Sequence, residues 1–301
     1  MGKFIHLQTI SEIFILLGLH NDIRHPLVGV VDFGKVNRQI DDEINMSADY
    51  YTIMFKNYPD NKMKYGRRII DFQDGSLICM APNQVIEMDR NEQASENVMG
   101  WGLFFHPDLI RGTSMSNKMK EYSFFSYETS EALHLSEKER QILYDCVLKI
   151  DTELKENIDV HSQTIIVSTI ELLLSYCNRF YGRQFITRKS SHHSVLAQIE
   201  KKLTEYFKAD KVQGLPSVKY LADQVNLSPG YLSDLLKKET GKNAQDHIHF
   251  YLIEEAKSTL ISTAKSVSEI AYGLGFDYPQ YFNKLFKQKT GKTPIEFRNS
   301  N

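Results

Sequence analysis

The feature that most constrains the fold of this 301-residue chain is a segment near its C-terminus that occurs twice. Residues 231–242 return fifty residues later as residues 281–292, and both copies close on Thr-Gly-Lys. A short apolar segment and a tight turn precede each copy, at residues 221–228 and 270–277. A short helix, a turn and a lysine-bearing second helix form the pattern of a helix-turn-helix, whose second helix enters the DNA major groove. The sequence therefore predicts two such units.

Both copies have the spacing that the corner between two helices requires. A small residue, Ala222 or Ala271, lies early in the first helix, where a large side chain would push the second helix away. In the second helices, apolar residues recur at the i, i+3 and i+4 spacing of a buried face. The apolar residues predicted to close the corners and to line these faces are Val225, Leu227, Leu232, Leu235 and Leu236 in the first copy, and Leu274, Phe276, Phe282, Leu285 and Phe286 in the second.

Helix ends are also marked in the sequence. Ser228 before Pro229 predicts an N-cap followed by the first helical residue, and Gly241 and Gly291 predict helix ends. Three pairs have the spacing of a capping box: Ser266 with Glu269, Asp277 with Gln280, and Thr293 with Glu296. An alternative is a helical hairpin array stacked for packing alone, but two units are few for a solenoid and their outer faces are rich in lysine.

Residues 195–301 resemble the DNA-binding domain of the AraC family of bacterial transcription regulators. The resemblance implies helix-turn-helix units at 217–239 and 266–289, with recognition helices at about 229–239 and 279–289 and a connecting helix at about 244–262. One departure is Leu252, where the family usually has Arg. The matching residues are Ser228-Pro229-x-Tyr231-Leu232-Ser233, Lys237-Lys238-Glu239-Thr240-Gly241, Glu254-Glu255-Ala256-Lys257, Ile270-Ala271-x-x-x-Gly275-Phe276, Tyr281-Phe282-x-x-x-Phe286-Lys287, Thr290-Gly291-x-Thr293-Pro294 and Phe297-Arg298.

The resemblance also implies which side chains read DNA bases. In the second unit they are Gln280, Asn283 and Lys284, and Asn, Gln and Lys are suited to bonding adenine or guanine. In the first unit they are Tyr231, Ser233 and Asp234, with no side chain from Gly230. Asp234 can accept from cytosine or can pair with a lysine of its own helix. We therefore expect the second recognition helix to contribute more to discrimination between DNA sequences than the first. Expected phosphate contacts are Ser228, Lys237, Lys238, Lys287, Lys289 and Lys292.

Charge is divided unevenly along the chain. From residue 195 onward there are 15 Lys and Arg against 12 Asp and Glu, whereas the remainder has 21 against 26. This asymmetry is typical of a nucleic-acid-binding domain joined to a domain that does not bind nucleic acid. The C-terminal excess of +3 is small, so useful occupancy of DNA should require a second DNA-binding domain and hence a homodimer.

The N-terminal domain, residues 1–185, is predicted to begin with β-strands and to continue with α-helices. Four strand-like runs at 51–55, 68–72, 76–80 and 101–105, with a hairpin signal at Asp74-Gly75, suggest a small antiparallel β-barrel. Many AraC relatives have a cupin-like sensory barrel here, so the fold class is α+β, a barrel with a helical pair followed by an all-α domain. The expected interior is either a filled core or a small-molecule pocket, lined by Phe55, Ile70, Leu77, Met80 and Phe104.

Two helices are predicted after these strands. Ser136 and Glu139 cap the first, and the second runs from about 161 to 181, before a linker at 186–194. Its residues Ile166, Ile170, Leu173, Cys177 and Phe180 form a seam typical of a helix pair. Ile165, Leu172 and Tyr176 add a second apolar face. We expect the seam to be a dimer contact, as the resemblance implies; the alternative is that both faces are covered within one subunit.

Catalysis is not expected. A metal-dependent cupin needs a cluster of histidines, whereas the predicted barrel has the lone His106. His247 and His249 are two apart on a predicted helix, where side chains do not share a face. Cys79, Cys146 and Cys177 match no metal spacing and fit a reducing compartment. The run 13–17 is too short to cross a membrane. We therefore expect a cytoplasmic protein without cofactor, metal or catalytic residues.

The sequence thus predicts a dimeric, ligand-responsive transcription regulator that binds double-stranded DNA. Contact with RNA polymerase is implied by the resemblance alone, and an effector would be a small molecule of unknown identity. Two alternatives remain: an architectural DNA binder without a ligand, and a cupin-type enzyme joined to a DNA-binding domain.

Overall fold

The computed structural model describes residues 3–36, 44–57, 62–65, 68–71, 75–88, 99–128, 131–156, 159–187, 189–208 and 214–299. The chain divides into two compact units, Met1–Thr187 and Arg188–Asn301. The division falls inside the segment predicted as a linker, 186–194, whose described residues belong to the end of one helix and the start of the next.

The strands described in the N-terminal unit form three separate sheets. Their orders are β1-β3-β8, β10-β7-β4-β9-β2 and β5-β6. Within the described residues these sheets do not close into a barrel, and β1 pairs with β3 in parallel, so an entirely antiparallel barrel is not what is observed. The strands are β1 Lys3–Leu7, β2 Val28–Asp32, β3 Ile44–Ala48, β4 Tyr51–Asn57, β5 Lys62–Tyr65, β6 Arg68–Asp71, β7 Ser76–Met80, β8 Ile86–Met88, β9 Met99–Phe105 and β10 Leu133–His134.

The hairpin predicted at Asp74-Gly75 does not pair the two strands on either side of it. β6 pairs with β5, whereas β7 pairs with β4 and β10. Gly75 has φ +76° and lies against the Phe55 ring, so it has a local packing role, while Asp74 is outside the described residues. The partners of β6 and β7 are therefore decided by non-local contacts.

The residues predicted to line one interior lie on two faces of the five-stranded sheet. Leu77 is the cross-strand partner of Phe55, so both share a face, and the guanidinium of Arg140 lies 5.7 Å from the Phe55 ring on that side. Met80 and Phe104 belong to the core cluster on the opposite face. The side chain of Ile70 is outside the described residues. The prediction of a single interior lined by these residues is therefore wrong.

Long helices follow the strands in the N-terminal unit. The reciprocal bonds between Ser136 and Glu139 confirm the predicted capping box, and α4 packs against α5. No helix among the described residues is long and apolar enough to span a bilayer. The helices are α1 Ile10–Leu16, α2 Pro107–Ile110, α3 Ser114–Lys118, α4 Glu137–Lys155 and α5 Ser162–Thr187.

The seam of α5 is buried within a single chain. Its five predicted dimer residues, Ile166, Ile170, Leu173, Cys177 and Phe180, are all at most 4% exposed. The seam therefore cannot meet a second subunit without opening the unit, and this assignment is corrected in favour of the intrasubunit alternative. The second face differs, because Ile165 and Leu172 are 46% and 45% exposed.

The C-terminal end of α5 is fixed to the rest of its unit. Arg183 bonds both carboxylate oxygens of Glu139 at 2.9–3.0 Å and donates to the His134 carbonyl at 2.7 Å. The buried Gln184 bonds the main chain of Ala132 and His134. Arg183 and Gln184 therefore belong to the folded N-terminal unit.

The described part of the C-terminal unit is entirely helical. Its connecting helix α9 has the predicted bounds, and both recognition helices begin where expected and end one residue later. Gly275, at the corner of the second unit, has φ +91°, and an added Cβ would lie 2.0 Å from the Gly214 carbonyl oxygen. The helices are α6 Lys189–Lys208, α7 Val218–Gln224, α8 Pro229–Thr240, α9 Ala244–Ser262, α10 Val267–Gly273, α11 Pro279–Thr290 and α12 Pro294–Asn299.

Most predicted caps in this unit are confirmed. Gly241 and Gly291 both have φ +77° at the helix ends, and the boxes at Ser266 and Thr293 form. The box predicted for Asp277 and Gln280 is wrong. Because Pro279 occupies the first helical position of α11, the N-cap is Tyr278, whose side chain makes no capping bond.

Candidate nucleic-acid interface

Each recognition helix packs against the core along one face, and its opposite face is exposed to solvent. In α8, Leu232, Leu235 and Leu236 are buried, and in α11 Phe282 and Phe286 are buried. Aromatic contacts extend this core in the second unit, because Phe282 lies 5.5 Å from Phe276 and Phe286 lies 5.5 Å from Phe297, centroid to centroid. The buried faces fix the orientation of both helices, as the i, i+3 and i+4 spacing predicts.

The connecting helix α9 contacts helices of both helix-turn-helix units. Ile248, Leu252, Ala256 and Leu260 are buried along one stripe, and α9 contacts α7, α8, α10 and α12. Leu252 is fully buried here, so this position supplies apolar packing where an arginine would have brought a charge into the core.

Polar contacts fix the ends of α9. The Nε2 atom of His247 lies 2.8 Å from the Thr240 hydroxyl at the end of α8, and burial lowers the pKa of His247. At the other end, Arg298 of α12 donates to the carbonyls of Leu260 and Lys265 at 2.9 and 2.7 Å. These two contacts tie α8 and α12 to the helix between the units.

The predicted base-reading residues of α11 lie together on its outer face. Gln280, Asn283 and Lys284 are all exposed and occupy positions i, i+3 and i+4 in the first turns. Side chains of these types can bond the edges of adenine or guanine in the major groove. This helix therefore presents a compact polar surface of the kind that direct readout requires.

The predicted residues of α8 differ in exposure. Ser233 and Asp234 are half-buried on the outer side, whereas Tyr231 is only 4% exposed. Ser228 is also buried, and its hydroxyl accepts a hydrogen bond from the Tyr231 amide at 3.2 Å. The assignments of Tyr231 to base reading and of Ser228 to phosphate contact are therefore corrected: Tyr231 is part of the core, and Ser228 caps the helix.

The lysines predicted to contact phosphate are exposed, but they are not equivalent. Lys237, Lys238, Lys287 and Lys292 lie at the surface near the ends of α8 and α11. Lys289 instead bonds Asp246 of α9, with 3.0 Å between Nζ and Oδ1. This hydrogen bond lowers the pKa of the Asp246 carboxyl. A phosphate that approached Lys289 would therefore have to compete with this carboxylate for its charge.

Two exposed aromatic residues beside α11 were not predicted. Tyr278 is 57% exposed and Tyr281 is 60% exposed, and their rings meet edge to face at 5.9 Å. The repeat carries a signal for Tyr281, because its counterpart Tyr231 is among the residues predicted to read bases. A signal was present at Tyr278, where the first copy has the capping residue Ser228.

The N-terminal unit contains a cavity of about 550 Å³ between α4 and the edge strand β2. Trp101 and Phe55 form an aromatic wall, with ring centroids 6.2 Å apart. Phe55 is the one residue shared with the predicted pocket. The other lining residues include Phe14, Leu19, Asp22, Arg24, Val30, Asp32, Lys35, Glu137, Arg140, Tyr144, Val147, Leu148, Asp151 and Lys155.

Residues with catalytic potential are used in packing or in helix capping. Cys79, Cys146 and Cys177 are buried, and burial raises the pKa of the Cys79 thiol, which disfavours the reactive thiolate. His106 caps α2 by accepting from the Asp108 amide at 3.2 Å. In the part of the chain that is described, no group of three His, Cys, Asp or Glu residues could hold a metal ion.

Comparisons with known proteins find sequence similarity to transcription regulators, mainly in the C-terminal region. Residues 221–300 match a family model described as a helix-turn-helix domain. The chain is 44% identical over 85 residues to the transcriptional regulatory protein YesN of Bacillus subtilis, covering 27% of this chain and 23% of YesN. It is 23% identical over 226 residues to the arabinose operon regulatory protein of Salmonella typhimurium, covering 74% of each.

Among solved structures, the chain resembles the C-terminal domain of the response regulator yesN from Fusobacterium nucleatum, with 31% identity and a TM-score of 0.30. This match covers 33% of the present chain and 93% of that domain. The chain thus spans less than a quarter of the length of B. subtilis YesN but about three quarters of the arabinose regulator.

The ion pair between Lys289 and Asp246 leads to a prediction. Asp246→Asn should release Lys289 toward phosphate, so the slope of log affinity against log salt should steepen by up to about 0.9. Random duplex DNA titrated from low to physiological salt measures this slope. Glu254→Gln is the matched control, because it breaks a similar pair with Lys257 on the same helix. Equal slopes for the two variants would contradict a specific release of Lys289.

Proposed function

We propose that this chain, whose C-terminal domain is an AraC-type helix-turn-helix domain, is a transcription regulator that reads two adjacent major-groove segments of double-stranded DNA. The observation that carries the proposal is that α8 and α11 each bury an apolar face, α8 against the connecting helix α9 and α11 against α10 and α12, while their polar faces stay exposed. Two helices placed in this way would enter the groove about one turn, or roughly 34 Å, apart. The fixed spacing implies that DNA bends or that one helix engages incompletely.

The two helices are expected to contribute unequally to specificity. On α11, Gln280, Asn283 and Lys284 are exposed, whereas α8 offers only the half-buried Ser233 and Asp234. An aspartate near DNA is repelled by phosphate and can usefully accept only from cytosine. The segment read by α11 should therefore carry more sequence information.

Site selection from random duplex DNA by the full chain tests this function. We expect a motif of two boxes about one helical turn apart, and we expect Asn283→Ala to weaken that site about tenfold because a bidentate base contact is lost. Affinity for random DNA should stay the same. Gln288→Ala, an exposed change later in α11, is the control.

If Asn283→Ala weakens selected and random DNA equally, Asn283 does not read a base. If no motif is recovered and binding disappears by physiological salt, the regulator function itself is wrong.

Two features support a homodimer. The net charge of the DNA-binding region is small, so one copy would bind DNA weakly, and α5 has an exposed apolar surface. Because the seam of α5 is buried, the proposed contact is the exposed face that contains Ile165 and Leu172. On α4, Tyr144 and Leu148 are also exposed large apolar residues. Apolar side chains at seven-residue spacing on a helix favour association with another helix. Contact with RNA polymerase and a cytoplasmic location are proposed from the family resemblance.

Leu172→Lys should convert a dimer into a monomer, because a charge placed in an apolar contact loses hydration without gaining a partner. Light scattering of the full chain at micromolar concentration measures the mass. Asn178→Lys adds the same charge to another exposed position of α5 and should leave the dimer intact. A monomeric wild-type protein would refute the dimer, and a dimeric Leu172→Lys protein would refute this contact.

We further propose that the cavity beside α4 binds a small-molecule effector. It combines the aromatic wall of Phe55 and Trp101 with charged groups of both signs, such as Arg24 and Asp22. Apolar walls with a few polar groups are typical of small-molecule sites. The balance of charges suits a neutral or zwitterionic ring compound. The alternative function, an architectural DNA binder, needs no effector.

Trp101 is the single tryptophan of the chain and reports directly on this cavity. Titration with a panel of small metabolites, including arabinose, should produce a saturable change in its fluorescence and a higher melting temperature for a true effector. Arg140→Gln, which alters the cavity beside Phe55, should weaken the response. If no compound changes fluorescence, melting temperature or DNA affinity, the architectural alternative is favoured.

A further inference from the structure

The start of α11 exposes an aromatic pair beside the proposed reading face. Tyr278 and Tyr281 each expose more than half of their surface, and their rings are in edge-to-face contact. Burial of a large aromatic ring is favourable, so two adjacent exposed rings forgo a substantial stabilisation of the isolated domain. Both lie at the helix end that carries Gln280, Asn283 and Lys284.

Comparison of the two copies identifies what is particular to this pair. Ser228 caps α8, whereas its counterpart Tyr278 makes no capping bond to α11. The loss of an N-cap side chain usually destabilises a helix. Tyr231 is in the core, whereas its counterpart Tyr281 is at the surface. Thus, at positions 278 and 281, the second copy lacks the stabilising interactions that the first copy makes at positions 228 and 231.

Helix geometry places Tyr281 at the border of the reading face. With about 100° of rotation per residue, Tyr281 lies roughly 60° around the helix from Lys284 and roughly 100° from Gln280. The border of a helix that lies in the major groove faces the sugar-phosphate backbone rather than the base edges. Tyrosine hydroxyls are among the groups that hydrogen-bond phosphate oxygens in protein–DNA complexes.

We propose that Tyr278 and Tyr281 form a neutral backbone contact that sets the register of α11 on the DNA segment it reads. Each hydroxyl donates a hydrogen bond to a phosphate oxygen, and the Tyr281 ring packs against deoxyribose. This inference rests on the proposed DNA-binding function. It differs from the lysine contacts in one measurable respect, because an uncharged donor releases no counterion.

The test uses the full chain with Tyr278→Phe, Tyr281→Phe and the double variant, which remove the hydroxyls but keep the rings. Affinity is measured over a salt series for the selected duplex and for a random duplex. Each hydroxyl removed should lower affinity about 3- to 10-fold, equally for both duplexes, with an unchanged salt slope. Tyr51→Phe, which alters a tyrosine of the N-terminal unit outside the proposed cavity and the proposed dimer contact, is the control. Lys287→Gln is the contrast, since its loss should reduce the slope by about 0.9.

Three outcomes would overturn the inference. Wild-type affinity in the double variant would mean that no hydroxyl contacts DNA. A loss restricted to the selected duplex would mean that the hydroxyls contact base edges of that sequence instead of the backbone. A wild-type protein that binds neither duplex would refute the proposed function itself, and this result is distinguishable because it does not depend on the tyrosine variants.

Discussion

Burial of one stripe of the connecting helix α9 is the interaction on which the candidate DNA interface depends. Ile248, Leu252, Ala256 and Leu260 are covered by helices from both helix-turn-helix units. Each fully buried leucine or isoleucine of the stripe contributes about 1.5–3 kcal/mol. The recognition helix α8 contacts α9 directly, and α11 packs on α10 and α12, which themselves contact α9. The separation of the two recognition helices is therefore set by packed helices rather than by a flexible connection. A leucine at 252 keeps this core apolar where the family usually has arginine.

On this common support, two copies of nearly the same motif present different outer surfaces. In the first copy, Ser228 caps the helix and Tyr231 enters the core, which leaves two half-buried polar residues toward the outside. In the second copy the cap is absent, and five polar or aromatic residues are exposed around the first turns, namely Tyr278, Gln280, Tyr281, Asn283 and Lys284. The two copies thus share their packing and differ in surface chemistry, which would suit the reading of two unlike DNA segments under the proposed function.

The N-terminal unit depends less on local signals, because its sheets pair strands from distant segments of the chain. The central strand β4 pairs with β7 and β9, which are separated in sequence, and the helices α4 and α5 contact the edge strands β2 and β10. Pairing of this kind is selected by packing across the sheet and not by the turns between strands. For this reason, the hairpin signal at Asp74-Gly75 did not identify the partner of β6, and alternation along β4 divided the expected interior between two faces.

The sequence by itself determined the local structure of the C-terminal domain. Ser228 with Pro229 marked the start of α8, and Gly241 and Gly291 marked the ends of α8 and α11, because each signal acts over at most four positions. The bounds of α9 and the start of α11 were implied by the family resemblance. The tertiary structure decided which equivalent residues are accessible. Tyr231 and Tyr281 share a motif position, yet one is buried and the other exposed. The seam of α5 could equally have faced a second subunit. Accessibility depends on which neighbours arrive from elsewhere in the chain, and a local pattern carries no information about them.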